Sequence, residues 1–235
     1  MRNFSETSYG ARIGNAEKLV AALQNFNGYQ PVRPEFAINA YTDLIQTTKA
    51  QNVTVASKKQ GYSLAVENRQ QIFYKGPLAI KRIISPINGA VKVAYGRNSK
   101  EANDVALIIA KIRGANIKKS TSENPEEATV SMSYRSFNST AQYFSDLIVN
   151  LTTFGPNYDP ANTELRTNGL TDIYNLAIAA NGEVMNTFTQ FVQANHQRID
   201  SYYLLSQTAI RIKDGVKAQY GFNSTEYNLI KGLII

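Results

Sequence analysis

The sequence predicts an all-α protein made of two tandem copies of a four- to five-helix antiparallel bundle, related by internal duplication. Apolar residues recur at three- and four-residue steps over most of the chain, which is typical of helices with one buried face. Alternating strand patterns are scarce, and the best candidate, residues 53–55, is too short to nucleate a sheet. Two blocks of sequence also occur twice in the same order, which indicates a repeat.

Five helical segments are predicted in the first copy. Their apolar positions span residues 13–26, 36–48, 62–73, 80–95 and 105–112. The third of these patterns is weaker than its counterpart in the second copy, residues 184–203. Pro86 lies inside the fourth pattern, so we expect that helix either to kink or to restart there.

The duplication is visible as two blocks with different offsets. The Tyr-x-Pro motif at 29–31 returns 129 positions later at 158–160, and the register holds as far as Tyr74 and Tyr203. The block from Tyr95 to Ser99 returns 125 positions later, so the second copy is four residues shorter in between. The predicted domains are repeat 1 at 1–113, a polar linker at 114–128 that carries Gly and Pro, and repeat 2 at 129–235.

Both repeated motifs have a structural interpretation. The residue before a proline avoids the helical region, so Tyr-x-Pro predicts an extended turn that leads into a helix. The glycines at 96 and 221 suit the left-handed position that ends a helix. Asn98 and Asn223 are then predicted to cap the next helix, with Glu101 and Glu226 reaching back to the cap.

Residues 28–41 and 216–227 resemble a family of uncharacterised helical proteins that is associated with Bacteroidota. Members combine an aromatic-x-Pro turn before a long helix with a late aromatic-Gly-x-Asn-Ser-x-x-Tyr segment. Residues 220–227 match that segment here. The resemblance implies no activity, because the family has no established function.

Charge is the most informative feature for function. Residues 1–120 hold 18 Lys and Arg against 7 Asp and Glu, whereas residues 121–235 hold 7 against 11. The candidate contact residues for a polyanion or an acidic partner are Lys58, Lys59, Arg69, Lys75, Lys81, Arg82, Lys92, Arg97 and Lys100. Three interpretations stay open: a nucleic-acid surface, head-to-tail contact of the basic copy with the acidic copy of a neighbouring molecule, or a solvated surface.

The apolar end of the sequence is a second candidate contact. Leu233, Ile234 and Ile235 could dock into a neighbouring molecule and support assembly, or they could pack as the last half-helix of their own bundle. Both interpretations stay open at the level of sequence.

Composition argues against several common chemistries. The chain has no cysteine, which removes disulfides, thiolate nucleophiles and cysteine metal ligands. His196 is the only histidine, and Asp43, Asp172 and Asp200 form no paired carboxylate pattern. No phosphate-binding glycine motif or recognised nucleic-acid-binding motif occurs. We therefore predict no catalytic, cofactor-binding or metal site.

The expected function is that of a non-enzymatic structural or interaction protein, as a self-assembling subunit of a larger complex. The first alternative is a nucleic-acid-associated protein that uses basic repeat 1, and the second is an enzyme with an unrecognised site in a bundle core. No run of about 18 apolar residues is present, so no transmembrane segment is expected. Because residues 1–8 lack an apolar signal region, we expect a cytoplasmic protein.

Overall fold

The computed structural model describes residues 8–114 and 125–235, and the side chains of residues 8–114 and 137–235. These residues are helical, which confirms the all-α prediction. The helices are α1 (Tyr9–Asn25), α2 (Ile38–Gln70), α3 (Ile80–Tyr95), α4 (Lys100–Arg113), α5 (Pro125–Thr152), α6 (Thr167–Tyr220) and α7 (Thr225–Ile230). Most of the predicted linker, residues 115–124, lies outside the described residues, and α5 begins within its predicted bounds.

The ends of the helices follow the repeated motifs. Gly96 and Gly221 end α3 and α6 with φ values of 91° and 98°, a region that favours glycine. The next helix is capped by serine: the Ala102 N–H donates to Ser99 Oγ and the Tyr227 N–H to Ser224 Oγ, both at 3.1 Å. The prediction of Asn98 and Asn223 as caps was therefore wrong by one residue, because the neighbouring serine is the residue with extended backbone at the start of each helix.

Several predicted segments merge into longer helices. The second and third segments of repeat 1 form α2, which continues into a five-residue π-helical turn, Gln71–Lys75. In repeat 2 the corresponding segments and the fourth one form the 54 residues of α6. The residues between the π-helical turn and α3, 76–79, are the four that repeat 2 lacks. α6 is uninterrupted over its 54 residues, and α3 continues through Pro86 rather than restarting there.

The helices pack into two compact units. Unit 1 comprises residues 1–60 and 189–235, and unit 2 comprises residues 61–188. Unit 1 thus joins α1 and the first part of α2 to the end of α6 and to α7. Unit 2 joins the rest of α2, α3 and α4 to α5 and the beginning of α6. The units do not follow the predicted boundaries 1–113 and 129–235, and that division by repeat stays a prediction.

Each unit has its own apolar core. The core of unit 1 contains Leu19, Leu23, Tyr41, Ile45, Tyr202, Leu205, Ile212 and Val216. The core of unit 2 contains Phe73, Ile80, Ile84, Ile87, Val105, Ile109, Phe144 and Leu147. Burying each such side chain contributes about 1.5–3 kcal/mol, so these cores are the main source of stability. No helix in the described ranges is long and apolar enough to cross a membrane.

Candidate functional site

The turn before each long helix is held by a tyrosine, which is half-buried at Tyr29 and buried at Tyr158. The hydroxyl of Tyr29 donates to the carbonyl oxygen of Phe36 at 3.0 Å, and that of Tyr158 donates to the carbonyl oxygen of Leu165 at 2.9 Å. Burial raises the pKa of Tyr158 to about 12 and also raises the pKa of Tyr29. The two tyrosines thus make the same hydrogen bond, although the backbone before them differs: Gly28 has a φ of 75°, whereas Gly155–Asn157 form a 3-10 turn.

In unit 1 a carboxamide joins this turn to the end of α6. Gln219 Nε2 donates to the carbonyl oxygen of Gly28 at 2.6 Å, and the N–H of Gln30 donates to Gln219 Oε1 at 3.1 Å. One side chain therefore satisfies the carbonyl before Tyr29 and the N–H after it. A primary amide can do this because it carries a donor and an acceptor side by side.

In unit 2 the corresponding position is Ala94, and a cleft of about 300 Å³ lies there. We call it the turn cleft; it is lined by Ala90, Val93 and Ala94 of α3 and by residues 157–161. Within the described ranges, the carbonyl oxygen of Asn157 and the N–H of Asp159 have no hydrogen-bond partner. These are the groups before and after Tyr158, at the positions where unit 1 uses Gln219.

The turn of unit 2 is held from a different side. Arg166 Nε lies 2.7 Å from Asp159 Oδ1 and donates to the carbonyl oxygen of Pro160 at 3.3 Å. In repeat register, unit 1 has Ala37 where unit 2 has Arg166. The arginine thus supports the turn through one carboxylate and one carbonyl oxygen.

A stacked arginine occurs in the core region of each unit. The guanidinium of Arg198 lies 4.3 Å from the centre of the Tyr9 ring in unit 1. In unit 2, 129 positions earlier, the guanidinium of Arg69 lies 3.9 Å from the centre of the Phe137 ring. Such cation–π contacts contribute about 2 kcal/mol when they are desolvated. Arg69, which the sequence placed among the surface contacts, is buried in this packing cluster.

The aromatic neighbours of these arginines differ between the units. In unit 1 the hydroxyl of Tyr202 accepts from Asn52 Nδ2 at 2.8 Å and donates to the carbonyl oxygen of Tyr9 at 3.0 Å. In unit 2 the corresponding Phe73 packs edge-on against Phe137, with ring centres 4.9 Å apart. The hydroxyl of Tyr202 in α6 therefore links that helix to α1 and α2.

The predicted basic residues are divided between the units. Lys58 and Lys59 are exposed in unit 1, and the other seven belong to unit 2. Lys75 Nζ lies 3.0 Å from Glu67 Oε2, and Lys100 Nζ lies 2.7 Å from Asp104 Oδ2. The hydrogen bond from Lys75 lowers the pKa of Glu67, but exposed pairs of this kind contribute little.

The remaining basic residues differ in their surroundings. Lys58 Nζ donates to Gln190 Oε1 at 2.8 Å, and Lys81 Nζ lies 4.8 Å from the centre of the Tyr74 ring. Lys92 is half-buried, whereas Arg82 and Arg97 are exposed. Unit 1 contains 12 Lys and Arg residues and 7 Asp and Glu residues, and unit 2 contains 13 and 11. The two units thus differ much less in net charge than the two predicted repeats do.

The end of the chain packs within unit 1. Ile235 is buried, and its carbonyl oxygen accepts from Ser206 Oγ at 2.6 Å. Lys213 Nζ donates to the carbonyl oxygen of Leu233 at 2.8 Å, and desolvation lowers the pKa of Lys213. Ile234 is 46% exposed, so of the three predicted assembly residues it offers the largest free apolar surface.

A row of exposed apolar residues runs along α6 in unit 1. We call it the α6 stripe: Ile199, Tyr203 and Ile210 are 46%, 67% and 47% exposed. Their spacing of four and seven residues places them on one face of the helix. The corresponding residues of unit 2 are Gln70, Tyr74 and Ser85, of which Ser85 Oγ accepts from Arg113 Nη2 at 2.8 Å.

The residues that sequence analysis considered for catalysis are at the surface. His196 and the carboxylates of Asp43, Asp172 and Asp200 are all exposed. A search of the described residues finds no group of three His, Cys, Asp or Glu side chains that could hold a metal ion.

Comparison with known proteins finds no match among family models, curated proteins or solved structures. The interpretation of this chain therefore rests on its own two units.

Sequence analysis missed the turn cleft and the α6 stripe, although a signal for both is present in the repeat register. The offset of 125 places Ala94 opposite Gln219 and Ser85 opposite Ile210. In each pair, repeat 1 has a small side chain and repeat 2 has a longer one at an exposed position. Comparing the two copies position by position, rather than counting charges per copy, would have identified both features.

Proposed function

We propose that this chain is a non-enzymatic interaction protein that associates with a second copy of itself through the α6 stripe. It would act as a subunit of a larger assembly. The observation that carries the proposal is the row of three exposed apolar side chains on one face of α6. Ser206, whose Oγ donates to Ile235, lies between Tyr203 and Ile210 on this face, so the end of the chain borders the stripe. Exposed apolar residues that share a face suit association better than single ones do. Tyr203 at its centre is a residue type that is enriched at interfaces.

We also propose that the chain arose by duplication of one helical repeat. Matched contacts support this: the tyrosine that holds the turn, the glycine that ends a helix, the serine cap and the stacked arginine each occur once per unit. Each unit then combines the N-terminal part of one repeat with the C-terminal part of the other. Residues shared by both copies serve the packing, and the α6 stripe is a feature of one copy alone.

A polyanion is the second candidate partner. Arg82 and Arg97 are exposed, and their guanidinium groups make no ion pair within the described part of the chain. Free guanidinium groups of this kind suit phosphate, with an affinity that falls steeply as salt rises.

Size-exclusion chromatography with light scattering tests the proposal. We expect a mass of at least twice 26.1 kDa that persists at high salt, because apolar contacts are not screened. Tyr203→Glu should give a monomer, whereas Leu176→Glu, at an exposed apolar position of α6 in unit 2, should leave the mass unchanged. A wild-type monomer at all salt concentrations would contradict the proposal.

The same run separates the alternatives. An assembly that dissociates as salt rises would favour head-to-tail contact through charge. The chain has no Trp and 14 Tyr, so bound nucleic acid would raise the ratio of absorbance at 260 nm to that at 280 nm clearly. An excess at 260 nm that disappears at high salt, with a monomeric protein mass, would favour the polyanion.

A further inference from the structure

We propose that the second copy binds the α6 stripe in an antiparallel orientation, with its Ile199 between Ile210 and Ile234 of the first copy. In this arrangement Asp200 of each copy pairs with Arg211 of the other. The inference rests on the proposed self-association, and it specifies which groups of the two copies meet.

The C-terminal segment borders one side of the stripe and is fixed there. The carbonyl oxygens of residues 233–235 accept, in chain order, from Lys213 Nζ at 2.8 Å, Asn15 Nδ2 at 2.9 Å and Ser206 Oγ at 2.6 Å. Two of these donors belong to α6 and one to α1, so the segment lies along both helices. The side chain of Ile234, which is 46% exposed, thus adds a fourth apolar group beside the stripe.

The opposite side of the stripe is charged. At about 100° per residue, Asp200 and Arg211 lie about 60–80° to one side of Tyr203, whereas Ser206 and Lys213 lie about 60–80° to the other. Asp200 and Arg211 are exposed, and neither makes an ion pair within the described part of the chain. They are separated by roughly 16 Å along the helix, which is too far for them to pair with each other. The stripe therefore has one apolar and one charged side.

This asymmetry decides how two copies fit. A two-fold axis that relates antiparallel helices brings like sides together, so apolar meets apolar and charged meets charged. A two-fold axis that relates parallel helices brings unlike sides together. Ile234 would then cover the charged side, where Asp200 and Arg211 would lose water without gaining a partner. The antiparallel arrangement is therefore favoured.

The apolar residues set the register of the pair. Ile199 and Ile210 mark the ends of the stripe, so facing residues have numbers that add up to 199 + 210 = 409. Ile199 of the second copy then faces Ile210 of the first. It also reaches Ile234, because the C-terminal segment is held beside this part of α6. Asp200 and Arg211 give a sum of 411, so each dimer has two such ion pairs.

Double electron–electron resonance on singly labelled chains tests the orientation. The chain has no cysteine, and Gln193→Cys, Leu204→Cys and Ala218→Cys place a label at exposed positions of α6. Antiparallel pairing predicts distances between the copies of about 35 Å at position 193 and about 40 Å at position 218, with a much shorter distance at position 204. Short distances at all three positions, or any other pattern, would overturn the proposal.

A charge exchange tests the ion pair between the copies. Asp200→Arg should raise the Kd of the dimer at low salt on the order of tenfold, because two arginines then face each other twice in each dimer. Combining Asp200→Arg with Arg211→Asp should restore the wild-type Kd. A double variant as weak as the single one would show that these residues do not meet.

The contact of Ile234 separates this inference from self-association as such. Ile234→Glu should give a monomer by light scattering with an unchanged circular dichroism spectrum, whereas Leu229→Glu, at a 64% exposed position of α7, should keep the wild-type mass. A wild-type mass for Ile234→Glu would overturn the antiparallel arrangement alone. A monomeric wild type would contradict the self-association itself and this inference with it.

Discussion

Tyr202 in unit 1 and Phe73 in unit 2 lie at the same position of the repeat, and both rings are almost completely buried. The hydroxyl of Tyr202 has two polar neighbours, Asn52 and the backbone of Tyr9. Phe73 has an aromatic neighbour instead, Phe137. The counterpart of Asn52 in unit 2 is again an asparagine, Asn181, and it donates to Asn138 Oδ1 at 3.1 Å. The same amide thus has a different partner in each unit.

The turns before α2 and α6 are held by different side chains in the two units. Unit 1 closes its turn with Gln219, and unit 2 supports its turn with Arg166 from within the turn itself. Here the neighbours did not compensate for the small Ala94, and a cleft remains. The buried position thus keeps a large aromatic side chain in both units, whereas the exposed position has a long side chain in one unit and alanine in the other.

The largest expected change in stability comes from removing one large side chain from each core. Phe73→Ala and Tyr202→Ala should each lower the free energy of unfolding by about 3–5 kcal/mol, because both leave a cavity in a packed core. Urea denaturation followed by circular dichroism measures the change. Leu64→Ala, at an exposed position of α2 outside the α6 stripe, is the control and should cost much less. A small loss at Phe73 or Tyr202 would show that the side chain is not in a packed core.

A subtler exchange tests the difference between the cores. Tyr202→Phe should cost about 1–3 kcal/mol, because Asn52 Nδ2 and the carbonyl oxygen of Tyr9 lose a buried partner. If Tyr202→Phe is neutral in urea denaturation, the hydrogen bonds of the Tyr202 hydroxyl do not stabilise unit 1.

The serine caps test the similarity of the units. Ser99→Ala and Ser224→Ala should each cost about 1 kcal/mol, and by similar amounts, because the two capping bonds have the same length of 3.1 Å. Ser63→Ala, at an exposed position inside α2, should cost nothing, since alanine is the better helix former. Unequal losses at the two caps would argue against equivalent helix starts.

The smallest expected effect concerns the turn tyrosines. Tyr158→Phe should cost about 0.5–1.5 kcal/mol at pH 7 through loss of the hydrogen bond to Leu165. The folded pKa of Tyr158 is about 12 against an ordinary value of 10.0, so its contribution is present below pH 10 and is lost as pH rises toward 12. Urea denaturation between pH 8 and 11 should therefore show a shallower alkaline loss for Tyr158→Phe than for the wild type. An identical pH dependence would contradict the raised pKa.

Much of the fold follows from local sequence signals. Gly96 and Gly221 are visible because glycine reaches the positive φ that ends these helices, and the Tyr-x-Pro turns are visible because proline fixes φ. The four residues that repeat 2 lacks coincide with the loop at 76–79. The N-cap was predicted one residue too early in both helices. Asn and Ser are both good caps, and the sequence does not show which of the two has the extended backbone.

The grouping of helices into units was not predictable in the same way. Apolar periodicity identifies the buried face of a helix but not the helix that covers it. From the sequence alone, the buried face of α1 could therefore pack against helices of repeat 1 or of repeat 2. The turn cleft depends on that grouping, because Ala94 of repeat 1 faces residues 157–161 of repeat 2. Charge per repeat was also a poor guide, since each unit takes residues from both repeats.

The central claim is that each unit combines parts of both repeats, and a single distance tests it most directly. Because the chain has no cysteine, Leu107→Cys in α4 and Val149→Cys in α5 give a doubly spin-labelled protein with no background label. Double electron–electron resonance measures the distance between the two spin labels. The labelled protein is diluted in unlabelled protein so that only distances within one chain are recorded. We expect one narrow, short distance, as for packed helices with axes about 8–10 Å apart. A long or broad distribution would contradict the packing of α4 from repeat 1 against α5 from repeat 2.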